Sequence, residues 1–311
     1  MGRLEQGVWY DKGYDTKAHD GAFKRENTTI RNWITPEQAQ SNRYHLYVSL
    51  ACPWAHRALI FRRLKKLENH ISLSIVSPYM LEDGWTFCQK EGSTGDKLHD
   101  FACLHEVYTA HDPHFTGRVT VPVLWDTYTH KMINNESSEI IRIFNGAFNH
   151  LTDNHDDYYP SALQERIDEI NAFVYESINN GVYQCGFATS QKAYEQAYGK
   201  LFDALDKIEE KLSHNSFLVG SQITEADWRL FTTLIRFDVV YHGHFKCNKK
   251  RLKDYPALSH YLIKLYQWPD IAETVNFFHI KQHYYVSHPH INPTQIVPVG
   301  PDLDAFLLSS S

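Results

Sequence analysis

Tyr44-His45-Leu46-Tyr47-Val48-Ser49-Leu50-Ala51-Cys52-Pro53-Trp54-Ala55-His56-Arg57 decides the fold, because an alternating apolar segment ends there in a cysteine followed at once by proline. Leu46, Val48 and Leu50 alternate with Tyr47 and Ser49, the period of a half-buried strand. The period then changes. Ile60, Phe61, Leu64 and Leu67 recur at helical spacing while Arg62, Arg63, Lys65 and Lys66 fall on the other side, so an amphipathic helix with a solvated basic face starts near Cys52. Pro53 suits its first turn, where a missing N–H costs nothing.

A cysteine at such a helix start lies beside backbone N–H groups at the positive end of the helix dipole, which favours thiolate over thiol. That makes Cys52 a usable nucleophile near neutral pH. The plain alternative is a small buried hydrophobe, which suits an isolated cysteine better than one framed by strand, proline and helix. Disulfide enzymes of the thioredoxin type carry a second cysteine three residues on, and here that position is Ala55. No intramolecular dithiol can form, so exchange uses an outside thiol.

Working outward, Ile71, Leu73 and Ile75 alternate with Ser72 and Ser74 to give a second strand ending at Ser77-Pro78, and strand-helix-strand predicts a parallel pair. Residues 79 to 98, with Gly84, Gly92 and Gly95, read as an inserted loop before a helix over about Leu98 to Ala110. A third strand, Val119 to Trp125, is interrupted by Pro122, which requires an edge, a bulge or a cis turn. Lys131 to Asn134 form a fourth, and Asn135-Glu136-Ser137-Ser138 lead into a helix carrying Ile140, Ile141, Ile143 and Phe144. The N-terminal residues 1–43 show no sustained period and form an irregular arm, pinned by Trp9, Tyr10, Tyr14, Phe23 and Trp33.

The Asn-, Asp- and His-rich run 146–160 is a linker, and 161–285 is helical. Ile167, Ile170, Phe173 and Val174 stripe one helix, and Tyr194 through Leu212 the next. Thr224-Glu225-Ala226-Asp227 opens a third as a capping box, and Leu258, Leu262 and Leu265 mark a fourth. Pro289, Pro293, Pro298 and Pro301 make 286–311 an extended tail.

The 311 residues carry a formal net charge of -6, and no basic stripe stands out, which argues against nucleic acid or an anionic membrane as partner. No apolar run approaches membrane-spanning length, and the five cysteines are odd in number and widely spaced, as suits a reducing, cytoplasmic setting. His242-Gly243-His244 and His288-Pro289-His290 lack carboxylate or cysteine partners at ligand spacing, so no metal is expected.

This order of elements resembles the glutathione transferase architecture, α/β followed by all-α: a thioredoxin-like domain over 44–145, then an all-helical domain over 161–285. The segments Cys52 to Arg57, His114 to Asp126, Asn134 to Ile140, His283-Tyr284-Tyr285 and Ile291 to Pro298 narrow it further. They look like the glutathionyl-hydroquinone reductases, the Xi-class glutathione transferases. The resemblance implies glutathione as co-substrate, glutathionylated quinones as substrates, no metal, and a homodimer. It also implies that the Cys52 thiolate attacks the substrate sulfur, leaving a mixed disulfide with glutathione that a second glutathione resolves.

On the same resemblance Tyr183, Tyr241 and one of Tyr284 and Tyr285 stack on the ring and supply its proton, although most of 19 tyrosines in any chain are packing residues. For glutathione the matching positions are Trp85, Arg118, Val121, Glu136 and Ser137. The Val121 backbone would pair with the cysteinyl part, Glu136 would take the α-ammonium, Ser137 the α-carboxylate, and Arg118 the other carboxylate. Ordinary roles exist for each: helix start, surface charge, loop anchor. Cys185 and Cys88 read as packing residues, with oxidation or glutathionylation of either the alternative. Two rival functions remain: an omega-type thiol transferase or dehydroascorbate reductase sharing Cys52, and a non-catalytic binding module on the transferase fold, which needs no nucleophile.

Overall fold

The structure, a computed structural model, describes residues 2–308, with Asp304 described by its backbone alone. The arm and tail readings reach at their ends into residues 1 and 309–311, which lie outside the described residues. Two compact units are present.

The first unit comprises Met1–Gly13, Glu26–Asp156 and Thr274–His283. Its strands are β1 (Arg3–Glu5), β2 (Val8–Tyr10), β3 (Tyr44–Val48), β4 (Ile71–Ile75), β5 (Met80–Leu81), β6 (Gly84–Trp85), β7 (Gly117–Arg118), β8 (Val123–Asp126) and β9 (Lys131–Asn134). Its helices are α1 (Pro53–Leu64), α2 (Leu104–His111), α3 (Ser137–Gly146) and α4 (Asn149–Thr152). The main sheet has the order β4-β3-β8-β9, with β3 parallel to β4 from Tyr44↔Ile71 to Val48↔Ile75 and antiparallel to β8. The parallel β3-α1-β4 unit is therefore present as the periodicity predicts.

β3 is buried along its whole length rather than on one face. Tyr44 packs edge-on against Phe148, and on the opposite face Tyr47 packs on Phe87 and donates to Asp96. The inserted segment thus covers the face that alternation alone assigns to solvent. The basic side of α1 is not a solvated face either. Arg62 donates to the Ile71 and Glu68 carbonyls, and the buried Lys65 donates to the Asp156 carbonyl at 2.5 Å. Long cationic side chains here close the helix C-terminus and its connections.

Three further expectations shift. The helix placed over 98–110 begins only at Leu104, because the Asp96 carboxylate accepts from the Leu98 and Phe101 amides and holds those residues in a turn. The third strand begins at Val123, not Val119. The Val121–Pro122 peptide is cis, Pro122 has no N–H for a ladder, and the Thr120 amide bonds the Tyr108 hydroxyl instead. The arm contains a hairpin: β1 pairs with β2 and with β7. Gln6 and Gly7 turn it at φ 50° and 79°, and a Cβ on Gly7 would meet the Pro113 carbonyl oxygen at 2.0 Å. Of the arm aromatics, Trp9 stacks on His105 and Phe23 is buried, whereas Tyr10 and Trp33 are about half exposed.

The second unit comprises Tyr14–Arg25, Asp157–Glu273 and Tyr284–Ser311. Its helices are α5 (Gln164–Val174), α6 (Gly181–Phe187), α7 (Gln191–His214), α8 (Glu225–Arg236) and α9 (Pro256–Tyr266), with the end of α10 (Phe277–Val286) and α11 (Asp304–Leu307). The predicted stripes fall on α5, α7, α8 and α9, and the capping box of Thr224 and Asp227 opens α8. Asp227 is wholly buried and also accepts from the Leu218 amide and the Tyr261 hydroxyl. The tail is irregular as its prolines dictate until α11, whose Leu307 carbonyl accepts from Gln267. Two wide π-helical turns, Tyr175–Asn179 after α5 and Phe237–Tyr241 after α8, had no signal in the sequence. Such turns re-aim the residues that follow and recur at functional sites.

Candidate active site

β3 delivers the chain to Cys52, which is the N-cap of α1 in extended conformation (φ -77°, ψ 124°), with Pro53 at the first helical position. The side chain is 9% exposed, and its thiol donates to the Val121 carbonyl, Sγ to oxygen 3.7 Å. The thiol and the residue before the cis proline therefore face one another. On the Val121 side the contact is made by backbone, not side chain.

Glu136 is the N-cap of α3. Its carboxylate accepts from the Ser138 amide at 3.0 Å, the Ser138 hydroxyl at 2.9 Å and the Thr28 hydroxyl at 3.0 Å. Burial alone would raise this carboxyl, but those hydrogen bonds and the charge of Arg57 outweigh it and hold it below the usual carboxylate range. Arg57 is buried on α1, lies 4.6 Å from the Trp54 ring centre and donates to the Ser137 hydroxyl at 3.4 Å. One helix thus carries both the thiol and the cation that underpins Glu136 and Ser137.

Trp85 is buried in the β5-β6 hairpin and stacks on His283, ring centres 4.7 Å apart; His283 Nδ1–H donates to the Pro78 carbonyl. Arg118 is committed to the arm. It donates to Glu26 at 2.9 Å, to the Gly13 carbonyl at 2.9 Å and to the Lys12 carbonyl. The first unit therefore brings together Cys52 with Val121, and Glu136 with Ser137, while Trp85 and Arg118 each sit in separate contacts.

The second unit gathers three tyrosines. The Tyr183 and Tyr284 hydroxyls are 2.5 Å apart and those of Tyr241 and Tyr284 are 2.9 Å apart, all within a buried aromatic cluster that includes Phe187 and Phe245. Burial pushes Tyr241 and Tyr284 well above the ordinary phenol range. Tyr285 points elsewhere, its hydroxyl donating to the Val239 carbonyl at 3.5 Å. The π-helical turn ending at Tyr241 and the one preceding α6 set the two flanking members of this network.

Profiles described as "Glutathione S-transferase, N-terminal domain" and "Glutathione S-transferase, C-terminal domain" match residues 51–147 and 191–263. The glutathionyl-hydroquinone reductase YqjG of Escherichia coli is 54% identical, over 98% of this chain and 97% of its own length. A glutathione-bound structure of the E. coli YqjG superimposes with a TM-score of 0.90 at 51% identity, covering 97% of each chain. A Xi-class glutathione transferase from Natrialba magadii superimposes with a TM-score of 0.93 at 47% identity, covering 100% of this chain and 96% of its own. The chain belongs to the glutathionyl-hydroquinone reductases, the Xi class of the glutathione transferases.

In this Xi-class chain several residues escaped the sequence reading. Arg57 was visible only as part of the cysteine segment; nothing in its spacing signals a buried cation. Thr28 comes from the arm, whose lack of period conceals it. Cys185 and Cys247 meet thiol to thiol in the core, and burial pushes the Cys247 thiol well above its ordinary range, which favours packing over reactivity. None of the five cysteines is disulfide-bonded. His244 Nε2 and His288 Nδ1 are 3.1 Å apart in a stacked pair, and among the described residues no group of three or more His, Cys, Asp or Glu side chains is arranged to hold a metal. No helix of the described residues is long and apolar enough to cross a membrane.

Proposed function

We propose that the chain reduces glutathionyl-hydroquinones to hydroquinones at the expense of glutathione. The Cys52 thiolate attacks the thioether sulfur. A Cys52–glutathione disulfide bond forms, the sulfur–aryl bond breaks, and the electron pair leaves on the ring carbon, which takes a proton. A second glutathione thiolate attacks the mixed disulfide and departs as oxidised glutathione, returning the Cys52 thiolate. The single observation that carries this reading is a lone cysteine N-capping α1 against the Val121 carbonyl, with alanine where a resolving cysteine would stand.

The roles assigned to individual residues belong to the same reading. Val121 pairs its backbone with the cysteinyl part of glutathione. Glu136 takes the α-ammonium, Ser137 the α-carboxylate, and Trp85 packs on the tripeptide. Arg118 reaches a carboxylate of glutathione if its hold on the arm loosens. Tyr183 and Tyr284 supply the proton, and Tyr241 and Tyr285 shape the ring's surroundings. Residues 44–145 form the glutathione-binding domain, 161–285 the substrate domain, and the working form is a cytoplasmic homodimer, for which light scattering at working concentration is the check.

Steady-state rates on a glutathionyl-hydroquinone and on a small glutathione mixed disulfide test the reading. A preference for the first supports it; a strong preference for the second assigns the chain to thiol transfer. Cys52→Ala abolishes hydroquinone release, and Cys52→Ser leaves little.

A further inference from the structure

Arg25, in the arm segment of the second unit, lies against the tyrosine network from outside the helices. Its Nε–H donates to Asn180 Oδ1 at 2.8 Å, which fixes the side chain at the turn into α6. The guanidinium carbon then stands 4.7 Å from the Tyr183 ring centre and 5.3 Å from that of Phe23, itself buried. A cation over the face of a phenol stabilises the ring more as its negative charge grows, so it favours loss of the phenolic proton. The ring it covers is the one whose hydroxyl lies 2.5 Å from that of Tyr284.

The other titratable and charged groups around this network make the contribution legible. Tyr241 and Tyr284 share its hydrogen bonds, and burial raises both. Arg236 lowers both through its charge. His244 and His288 pack on the Tyr284 ring, with His244 pushed down to about 4 by burial and so uncharged at neutral pH. His290 packs on Phe187, Lys246 acts on His244 and Cys247, and Cys185 lies on α6 against Cys247. Arg25 stands over the Tyr183 ring, and Arg236 acts through its charge on Tyr241 and Tyr284.

We propose that Arg25 is a positioning residue whose guanidinium, held over the Tyr183 ring by Asn180, makes the Tyr183–Tyr284 hydroxyl pair a better proton donor. This rests on the reading of those tyrosines as the proton source for the departing ring. It also gives the N-terminal arm a chemical role besides packing. Arg25 does not touch substrate in this account; it acts through Tyr183.

The test is a titration of Tyr183 by fluorine NMR on protein labelled with fluorotyrosine, whose phenols ionise within reach, the signal being assigned by its loss in Tyr183→Phe. It is run beside the pH profile of kcat in the wild type, Arg25→Met and Arg25→Lys. The expected result is an increase of about tenfold in the proton affinity of Tyr183 in Arg25→Met. The alkaline limb of kcat shifts in the same direction, and Arg25→Lys restores most of both. If Tyr183 titrates in Arg25→Met as in the wild type, while kcat or melting temperature falls alike at every pH, the proposal is overturned and Arg25 only pins the arm. Retention of wild-type kcat by Tyr183→Phe would remove the acid role from the tyrosines, and the titration would still decide what Arg25 does to Tyr183.

Discussion

The Tyr183 and Tyr284 hydroxyls sit 2.5 Å apart in the second unit, with Tyr284 almost fully buried and also bonded to Tyr241. Burial disfavours phenolate, so Tyr284 and Tyr241 keep their protons at neutral pH, the state a proton donor must occupy. Tyr284 is the shared member, and its loss breaks both hydrogen bonds.

Tyr284→Phe is therefore expected to lower the single-turnover rate of hydroquinone release about 10²-fold at pH 7, within the range for loss of a general acid. Stopped-flow absorbance of the released ring reads it directly. An unchanged rate removes the tyrosine network from the chemistry.

Tyr285→Phe is the matched control. Its hydroxyl reaches only the Val239 carbonyl at 3.5 Å, so the same measurement should fall by less than about threefold. An effect equal to that of Tyr284→Phe would reassign the proton source.

Glu136 carries a pH signature. Its folded carboxyl is held below the usual range, so it contributes stability above the unfolded carboxylate value of about 4.3, and that contribution is lost as pH falls through the depressed folded value. Melting curves from pH 7 down to about pH 3 should show wild type losing more than Glu136→Gln over that window. With Glu136 holding the α-ammonium as proposed, the same substitution at pH 7 is expected to raise the KM for glutathione about tenfold through loss of one charge-assisted hydrogen bond.

Stability of the helical unit should depend on Asp227. Its carboxylate accepts from the Leu218 and Thr224 amides and from the Tyr261 hydroxyl, all buried. Asp227→Ala leaves these donors without a partner and is expected to cost about 3–5 kcal/mol in urea unfolding, against ~1 kcal/mol for Thr224→Ala at the cap. Equal costs would show that the capping box alone matters.

The parallel β3-α1-β4 unit and the stripes of α5, α7, α8 and α9 were legible because each rests on an apolar period set by local geometry. Cys52 and its N-cap position were legible for the same reason. What failed to show was decided by distant partners. β3 reads as half-buried because nothing in its own alternation announces that Phe87 and Asp96 will cover its second face. Lys65 reads as solvated because its partner, the Asp156 carbonyl, is a backbone atom far along the chain. The π-helical turns that set Tyr183 and Tyr241 carry no composition of their own. The contacts that Arg118 makes with Glu26 and the Gly13 carbonyl were not legible either, because the arm that supplies them shows no sustained period.

On the proposed mechanism Cys52 becomes one half of a disulfide whose other half is glutathione. Mixing the protein with a glutathionyl-hydroquinone in the absence of free glutathione, quenching with acid and mapping peptides by mass spectrometry tests it most directly. The expected result is one glutathionyl group on the Cys52 peptide, formed in step with hydroquinone release and removed by added glutathione. Full release of hydroquinone with Cys52 unmodified, or with glutathione on Cys88 or Cys185 instead, would contradict it.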